Sequence, residues 1–169
     1  MANICGINFE SIVDGDGVRV TVFFSGCQHH CKGCHNPISH NFNAGRQFTE
    51  ELQEQIITYI KETPYISGIT LSGGDPMFSA RQIIPFVKRL KKCLPYINIW
   101  VYSGFTYDEL LRDKWRKKLL ELCDVLVDGR FMLSQRDPTL SYRGSRNQRI
   151  IDIQKSIQDC KVQLLEGGV

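Results

Sequence analysis

Short runs of β-branched and aromatic residues recur along the chain, spaced so that one helix fits between each pair. They are Val18-Arg-Val-Thr-Val-Phe-Phe24, Gly68-Ile-Thr-Leu71, Ile97-Asn-Ile-Trp-Val-Tyr102, Val125-Leu-Val127 and Arg149-Ile-Ile-Asp-Ile153. Each has the composition and length of a strand. Their starts lie about 50, 29, 28 and 24 residues apart, the length that a crossover between parallel strands requires.

The intervening segments read as helices. Thr49 can cap a helix through Leu52, Ile56, Ile57 and Ile60, with Glu50 and Glu51 in its first turn and Pro64 beyond its end. Ser79-Ala-Arg-Gln82 has the form of a capping box before residues 83–90, and Thr106-Tyr-Asp-Glu109 that of another before Leu110 and Leu111. Residues 115–123 continue with Leu119, Leu120 and Leu122. Strands alternating with helices predict an α/β fold with a mainly parallel sheet and right-handed crossovers. Five units are too few for an eightfold barrel. They leave a partial (β/α) barrel or an open doubly wound sheet.

In both architectures functional residues gather where the strands end. Cys27 follows the first run, Ser72-Gly-Gly-Asp-Pro76 the second, Ser103-Gly104 the third and Asp128-Gly129 the fourth. If these strands are parallel, all four segments meet on one rim. No linker or low-complexity tract interrupts the 169 residues, so one domain, 1–169, is expected. The net charge of +3 is too small to demand nucleic acid or an anionic membrane. No apolar run approaches the roughly eighteen residues of a membrane span. Met1-Ala-Asn-Ile-Cys-Gly6 lacks the basic and apolar regions of a secretory signal, so a reducing cytoplasmic setting is expected. Clustered cysteines there are more often metal ligands or redox groups than disulfides.

Three of the seven cysteines form such a cluster, Cys27-Gln-His-His-Cys31-Lys-Gly-Cys34. Cys31 and Cys34 can aim at one metal from a single turn, and Gly26 and Gly33 let the loop bring Cys27 to the same point. Soft thiolates select iron–sulfur clusters, zinc or copper(I). Zinc competes because His29, His30 or His35 could complete a four-ligand site. Three thiolates without a fourth leave one metal position open for chemistry. Cys31-Lys-Gly-Cys34 alone has the spacing of a thiol oxidoreductase, a reading that leaves Cys27 and the glycine strings unexplained.

Cys-x3-Cys-x2-Cys is the signature of radical S-adenosylmethionine enzymes. The strings Asp14-Gly-Asp-Gly-Val-Arg19, Val22-Phe-Phe-Ser-Gly-Cys27 and Cys34-His-Asn-Pro37 resemble the glycyl-radical activating enzymes within that superfamily. Leu71-Ser-Gly-Gly-Asp-Pro76, Val125-Leu-Val-Asp-Gly-Arg-Phe131 and Tyr142-Arg-Gly-Ser-Arg-Asn-Gln148 resemble the activators of anaerobic ribonucleoside-triphosphate reductase. The resemblance spans about residues 6–155. It implies a shortened partial (β/α) barrel and a 4Fe–4S cluster held by Cys27, Cys31 and Cys34. The free iron would be left to S-adenosylmethionine.

The same resemblance implies that Gly33, Cys34 and His35 lie against the cofactor, with His35 near the adenine, and that Ser72, Gly73, Gly74 and Asp75 meet its amino group. Relatives often carry Glu in place of Asp75, whose shorter arm favours the backbone at Gly74 as the contact. Read from the residues alone, Gly-Gly-Asp-Pro is equally good turn chemistry. Ser103 and Asp128 are further cofactor candidates. A strand-end carboxylate such as Asp128 needs solvent or a partner, whether a cation, the sulfonium or a basic group, or else it opens a turn with Gly129. Arg143, Ser145, Asn147 and Gln148 match the closing string, with no role assigned.

The activity implied is reductive cleavage of S-adenosylmethionine to a 5′-deoxyadenosyl radical. That radical takes a hydrogen from a C-terminal glycine of the reductase large subunit. Reduced flavodoxin or a similar donor would supply the electron, and the resemblance allows a homodimer or a mixed assembly with the reductase. The basic stretches Arg89-Leu-Lys-Lys92 and 112–118 offer docking faces or plain solvated helix surface. Activation of another glycyl-radical enzyme, such as pyruvate formate-lyase, is one alternative. A non-catalytic zinc-binding interaction module is another. Cys93 and Cys123 fall beside leucines and are expected in the core. Cys5 and Cys160 receive no role, and the tail 166–169 is expected to fray.

Overall fold

The computed structural model describes residues 1–165, so the tail 166–169, expected to fray, lies outside the described residues. In chain order the strands are β1 (Asn3–Ser11), β2 (Val18–Phe24), β3 (Arg46–Gln47), β4 (Ile66–Gly73), β5 (Asn98–Tyr102), β6 (Val125–Asp128), β7 (Arg149–Asp152) and β8 (Gln163–Leu164). The helices are α1 (Glu50–Glu62), α2 (Ala80–Cys93), α3 (Tyr107–Leu111), α4 (Lys114–Leu120) and α5 (Ile153–Gln158). All eight strands join one sheet in the order β3-β1-β2-β4-β5-β6-β7-β8. The fold is therefore α/β, with β2, β4, β5 and β6 parallel to one another at its middle. Those four follow sequence order without reversal, so the switch point of a doubly wound sheet is absent among them.

Two departures from the sequence reading have physical causes. The run at 149–153 forms β7, antiparallel to β6. No α-helix lies between these strands to carry the chain back across the sheet, so it returns in the opposite direction. At the other side β1 pairs antiparallel with β2. Its Asn, Cys, Gly and Glu residues hid it from a search for apolar runs.

The helices bury one face of the sheet. Val20, Val22, Phe24, Ile69, Leu71, Ile99, Val101 and Leu126 form one core with Ile56, Ile60, Ile83, Val87, Leu90, Leu110 and Leu119. Thr49 caps α1 through Leu52 N, and the capping box of Thr106 and Glu109 forms at α3. The box expected at Ser79 does not. Asp75 instead caps a short 3-10 turn, Pro76–Ser79, that runs into α2. α4 is shorter than expected and is capped by Asp113. Cys123 is buried, but Cys93 is exposed, because Leu94 at the end of α2 turns onto the core in its place.

The opposite face carries a smaller cluster of Trp100, Val125, Val127 and Ile150 with Tyr102 and Tyr142. Arg19 is buried there, and among the described residues no carboxylate forms an ion pair with it. It donates to Thr70 Oγ1 and to the carbonyls of Asp16, Ile69 and Asn98, and burial lowers its pKa to about 10. Spread over three strands, these bonds fix the amino ends of β2, β4 and β5. Among the described residues no helix is long and apolar enough to cross a membrane.

Candidate metal centre

Register among the parallel strands brings the segments after β2, β4, β5 and β6 to one edge, as their spacing predicts. The chain leaving β2 is held by backbone bonds from Gly26 N to Ser39 O (2.8 Å) and Cys27 N to His40 O (3.2 Å). These fold the cysteine loop back along the short 3-10 turn Pro37–His40. Cys34 N bonds to Cys31 O at 3.1 Å, closing a turn in which Gly33 has φ +77°. A side chain at Gly33 would be strained and would press on Leu133.

Cys27 is buried, and Cys31 and Cys34 are half-buried. Burial pushes the Cys27 thiol up to about 11, and the nearby charges of Asp75, Cys31 and Cys34 add to the shift. Cys27 therefore lies within electrostatic reach of Cys31 and Cys34, and a bound cationic centre would stabilise its thiolate. All seven cysteines are free. Cys5 meets Ser25 Oγ at 3.2 Å, Cys93 and Cys160 are exposed, and Cys123 donates to Leu119 O.

Among the described residues no three His, Cys, Asp or Glu side chains are set to hold a single metal ion. Metal–sulfur bonds of about 2.3 Å would pull thiolates on one ion to within roughly 4 Å of one another. A cube spreads its ligands over separate corners. Two of the histidines that could complete a zinc site already have partners. His29 turns to Asp75, His30 packs against His40, and His35 is exposed. Three soft donors on one loop, with one position left over, fit an iron–sulfur cluster better than a lone ion.

The glycine turn after β4 packs directly on this loop. Gly74 N bonds to Phe24 O at 2.7 Å and Asp75 N to Gly26 O at 3.0 Å. A Cβ at Gly74 would lie 2.7 Å from both Gly26 O and Ser39 O. The glycine thus permits contact between two backbones. Ser72 is half-buried and lies opposite Phe23, and Gly73 lies opposite Phe24.

Asp75 is 1% exposed, and both its oxygens are engaged by the protein. Oδ1 accepts from Met77 N (2.9 Å), and Oδ2 meets His29 Nε2 (2.8 Å), Ser103 Oγ (2.9 Å) and Gly104 N (3.0 Å). Asp75 and Ser103, both expected at the cofactor, thus face each other and lock three strand ends together. Sequence reasoning weighed His29 only as a zinc ligand and missed its bond to Asp75. Its place between Cys27 and Cys31 was the available signal. Its ring packs on Phe105 and Phe78 at centroid distances of 4.5 and 5.2 Å.

Asp128 finds its basic partner within the chain. Arg149, directly across on β7, pairs with it through Nε at 3.0 Å, and Tyr107 N donates to it at 2.8 Å. This pairing holds the Arg149 guanidinium above its ordinary pKa. Both residues line an open cleft of about 660 Å3 with Gly104, Thr106, Arg130 and Asn147. In the closing string, Ser145 is buried, and Gln148 ties Gly144 N to Gly129 O. Arg143 Nε and Asn147 Oδ1 are buried and unpartnered among the described residues.

Comparison with known proteins also points to an iron–sulfur domain. Residues 13–151 match the family model of the 4Fe-4S single cluster domain. Over 142 residues the chain is 45% identical to the anaerobic ribonucleoside-triphosphate reductase-activating protein of Haemophilus influenzae, covering 82% of this chain and 90% of that protein. The protein of the same name from Vibrio cholerae is 43% identical over 142 residues, with the same coverage of 82% and 90%. That from Escherichia coli is 41% identical over 140 residues, covering 81% of this chain and 90% of the relative.

Proposed function

The chain belongs to the family of anaerobic ribonucleoside-triphosphate reductase-activating proteins and carries their 4Fe-4S single cluster domain, and from that premise we propose that it is a radical S-adenosylmethionine enzyme that installs a glycyl radical on the reductase. Cys27, Cys31 and Cys34 are the cluster ligands in this reading. When bound, the cluster would supply the single electron that splits S-adenosylmethionine into methionine and a hydrogen-abstracting 5′-deoxyadenosyl fragment.

The observation that carries the proposal is the cysteine loop itself. Three neighbouring thiols stand at the carboxyl edge of the parallel strands, held by backbone bonds to the Ser72–Asp75 turn. The remaining work belongs to this chain's own residues. Gly33, Cys34 and His35 flank the nucleotide. Ser72, Gly73 and Gly74 offer strand-end backbone to its amino group, which a carbonyl can accept. Asp75 and Ser103 act by position, keeping the loop, the turn and β5 in one arrangement. Asp128 does the same for β6 and β7. Such preorganisation matters because a radical reacts with whatever lies near, so the target must be held close and water kept out.

The unreversed order of the parallel strands supports a partial (β/α) barrel, and the whole chain, 1–169, is read as one such domain working in the cytoplasm. Its protein substrate is the large subunit of the anaerobic reductase, with a C-terminal glycine as target, and reduced flavodoxin or a similar protein supplies the electron.

The deciding experiment is anaerobic reconstitution with iron and sulfide, followed by incubation with S-adenosylmethionine, a reductant and the reductase. Expected are four irons and four sulfides per chain and a glycyl-radical doublet on the reductase by electron paramagnetic resonance. A doublet on pyruvate formate-lyase in its place would overturn the choice of target. Protein that stays iron-poor and binds zinc would overturn the activity altogether.

A further inference from the structure

α2 and α4 pack side by side on the helical face of the sheet. Around Trp115, at the start of α4, three cations converge on one indole ring. Arg81, Lys114 and Lys118 lie 5.4, 5.4 and 5.9 Å from its centroid. Trp115 is 37% exposed, and the three cations and Arg112 are exposed with it. Among the described residues Arg81, Arg112, Lys114, Arg116 and Lys118 make no ion pair, while Lys117 reaches Glu121 at 3.9 Å. The ring's quadrupole offsets only part of the repulsion among these charges. An acidic surface placed over them would neutralise the rest.

Arg116 turns the other way. Its guanidinium lies 3.9 Å from the centroid of Phe105 and 5.5 Å from that of Phe78. Phe105 packs on His29 at 4.5 Å, and His29 lies between Cys27 and Cys31. An unbroken line of packed side chains thus joins the basic surface to the cysteine loop.

We propose that the face made by Arg81, Lys114, Trp115, Arg116 and Lys118 docks an acidic one-electron donor protein. The proposal rests on the cluster reading of the cysteine loop and adds the site of electron entry. One electron leaves the reduced donor and enters the cluster, so the donor is oxidised by one and the cluster reduced by one, with no bond made or broken. The donor suits this face better than the reductase does. Hydrogen abstraction demands that the target itself reach the reacting centre, whereas the patch lies on the first turns of α2 and α4 with Phe105 and His29 between it and the cysteine loop, and an electron can cross packed protein. Single-stranded nucleic acid suits it less well, since one exposed aromatic ring is not a stacking track.

The test titrates the full-length protein, with and without reconstituted cluster, with oxidised flavodoxin as the acidic probe at low and raised salt. Reduction of the cluster by photoreduced flavodoxin and by dithionite is timed in parallel. In the double variant Lys114→Glu, Lys118→Glu, flavodoxin binding should weaken at least about tenfold and lose most of its salt dependence. Flavodoxin-driven reduction should slow correspondingly, while reduction by dithionite and the circular dichroism spectrum stay unchanged. Lys61→Glu on α1 makes the same kind of charge change elsewhere and should leave binding intact, and Lys114→Gln, Lys118→Gln should fall between.

Wild-type binding strength in the double reversal, or an equal loss in Lys61→Glu, overturns the proposal. So does a patch that binds the reductase or an RNA oligonucleotide in preference to flavodoxin. If wild-type protein takes up no cluster, the metal-centre reading fails, and the titration of cluster-free protein still decides the docking.

Discussion

His29 Nε2 meets Asp75 Oδ2 at 2.8 Å, on the same oxygen that receives Ser103 Oγ and Gly104 N. One buried carboxylate thereby fastens the cysteine loop to the turn after β4 and the end of β5. Asp75→Asn would set an amide NH2 either against Met77 N or against the three groups gathered on Oδ2, at a cost of about 2–4 kcal/mol. Asp75→Glu adds a methylene to a site that is 1% exposed, at a cost of about 1–3 kcal/mol by overpacking. Urea unfolding of metal-free protein measures both. An unchanged midpoint in Asp75→Asn would show that the carboxylate is not the fastening.

Gly74 has a different role, which a control can isolate. Its added Cβ would meet two carbonyl oxygens of the backbone at 2.7 Å, one in the cysteine loop and one in the turn beside it. Gly74→Ala must displace the loop, so iron uptake on reconstitution should fall by more than half while the protein still folds, at a cost of about 1–3 kcal/mol. Gly6→Ala on β1 has open space around it and should match wild type in both respects. Full iron content in Gly74→Ala would separate the glycine turn from the metal centre.

These two residues mark how far the sequence could be read. β2, β4, β5 and β6 were visible because each is a β-branched run and the gaps hold a helix. β1 was not, because a strand with polar residues at half its positions looks like a loop. Nor was the direction of β7, since alternation reports which face a residue takes and says nothing of which way the strand runs. The cysteine cluster stood out by spacing, but spacing left iron–sulfur and zinc both open, and the family resemblance chose between them. The bonds of Asp75 were not, because His29 and Ser103 stand 46 and 28 residues away and meet it only through sheet register. Cys93 misled because helical periodicity does not say where a helix ends, and Leu94 takes the inward place.

The ligand assignment predicts a sharp division among six of the seven cysteines. Cys27→Ala, Cys31→Ala and Cys34→Ala should each abolish the visible absorbance and stoichiometric iron of anaerobically reconstituted protein, since two thiolates cannot hold a cube stably. Cys93→Ala and Cys160→Ala are exposed and should retain both. Cys123→Ala should retain the iron but lose some stability, because its thiol fills a fully buried site under α4. Normal iron content in any of the first three variants would exclude that residue as a ligand.

The loop between β6 and β7 has an acid-sensitive clasp. Asp137 accepts from Thr139 Oγ1 (2.6 Å), Thr139 N (3.0 Å) and Arg146 Nε (2.9 Å), while its own N–H bonds to Gly144 O at 3.2 Å. The Thr139 hydroxyl first, then the Thr139 amide and Arg146, hold its carboxyl down to about 2, against about 3.9 in an unfolded chain. A depressed carboxyl pKa contributes stability that is fully present above the unfolded value and is lost as pH falls through the folded one. The clasp should therefore loosen between about pH 4 and pH 2 and be insensitive to pH above that window. Hydrogen exchange of the 131–146 segment, taken as the ratio of wild type to Asp137→Asn, isolates this from the intrinsic pH dependence of exchange. Wild type should be the better protected above about pH 4, with the two converging near pH 2. Equal protection across the whole range would mean that the carboxylate contributes nothing to closing the loop.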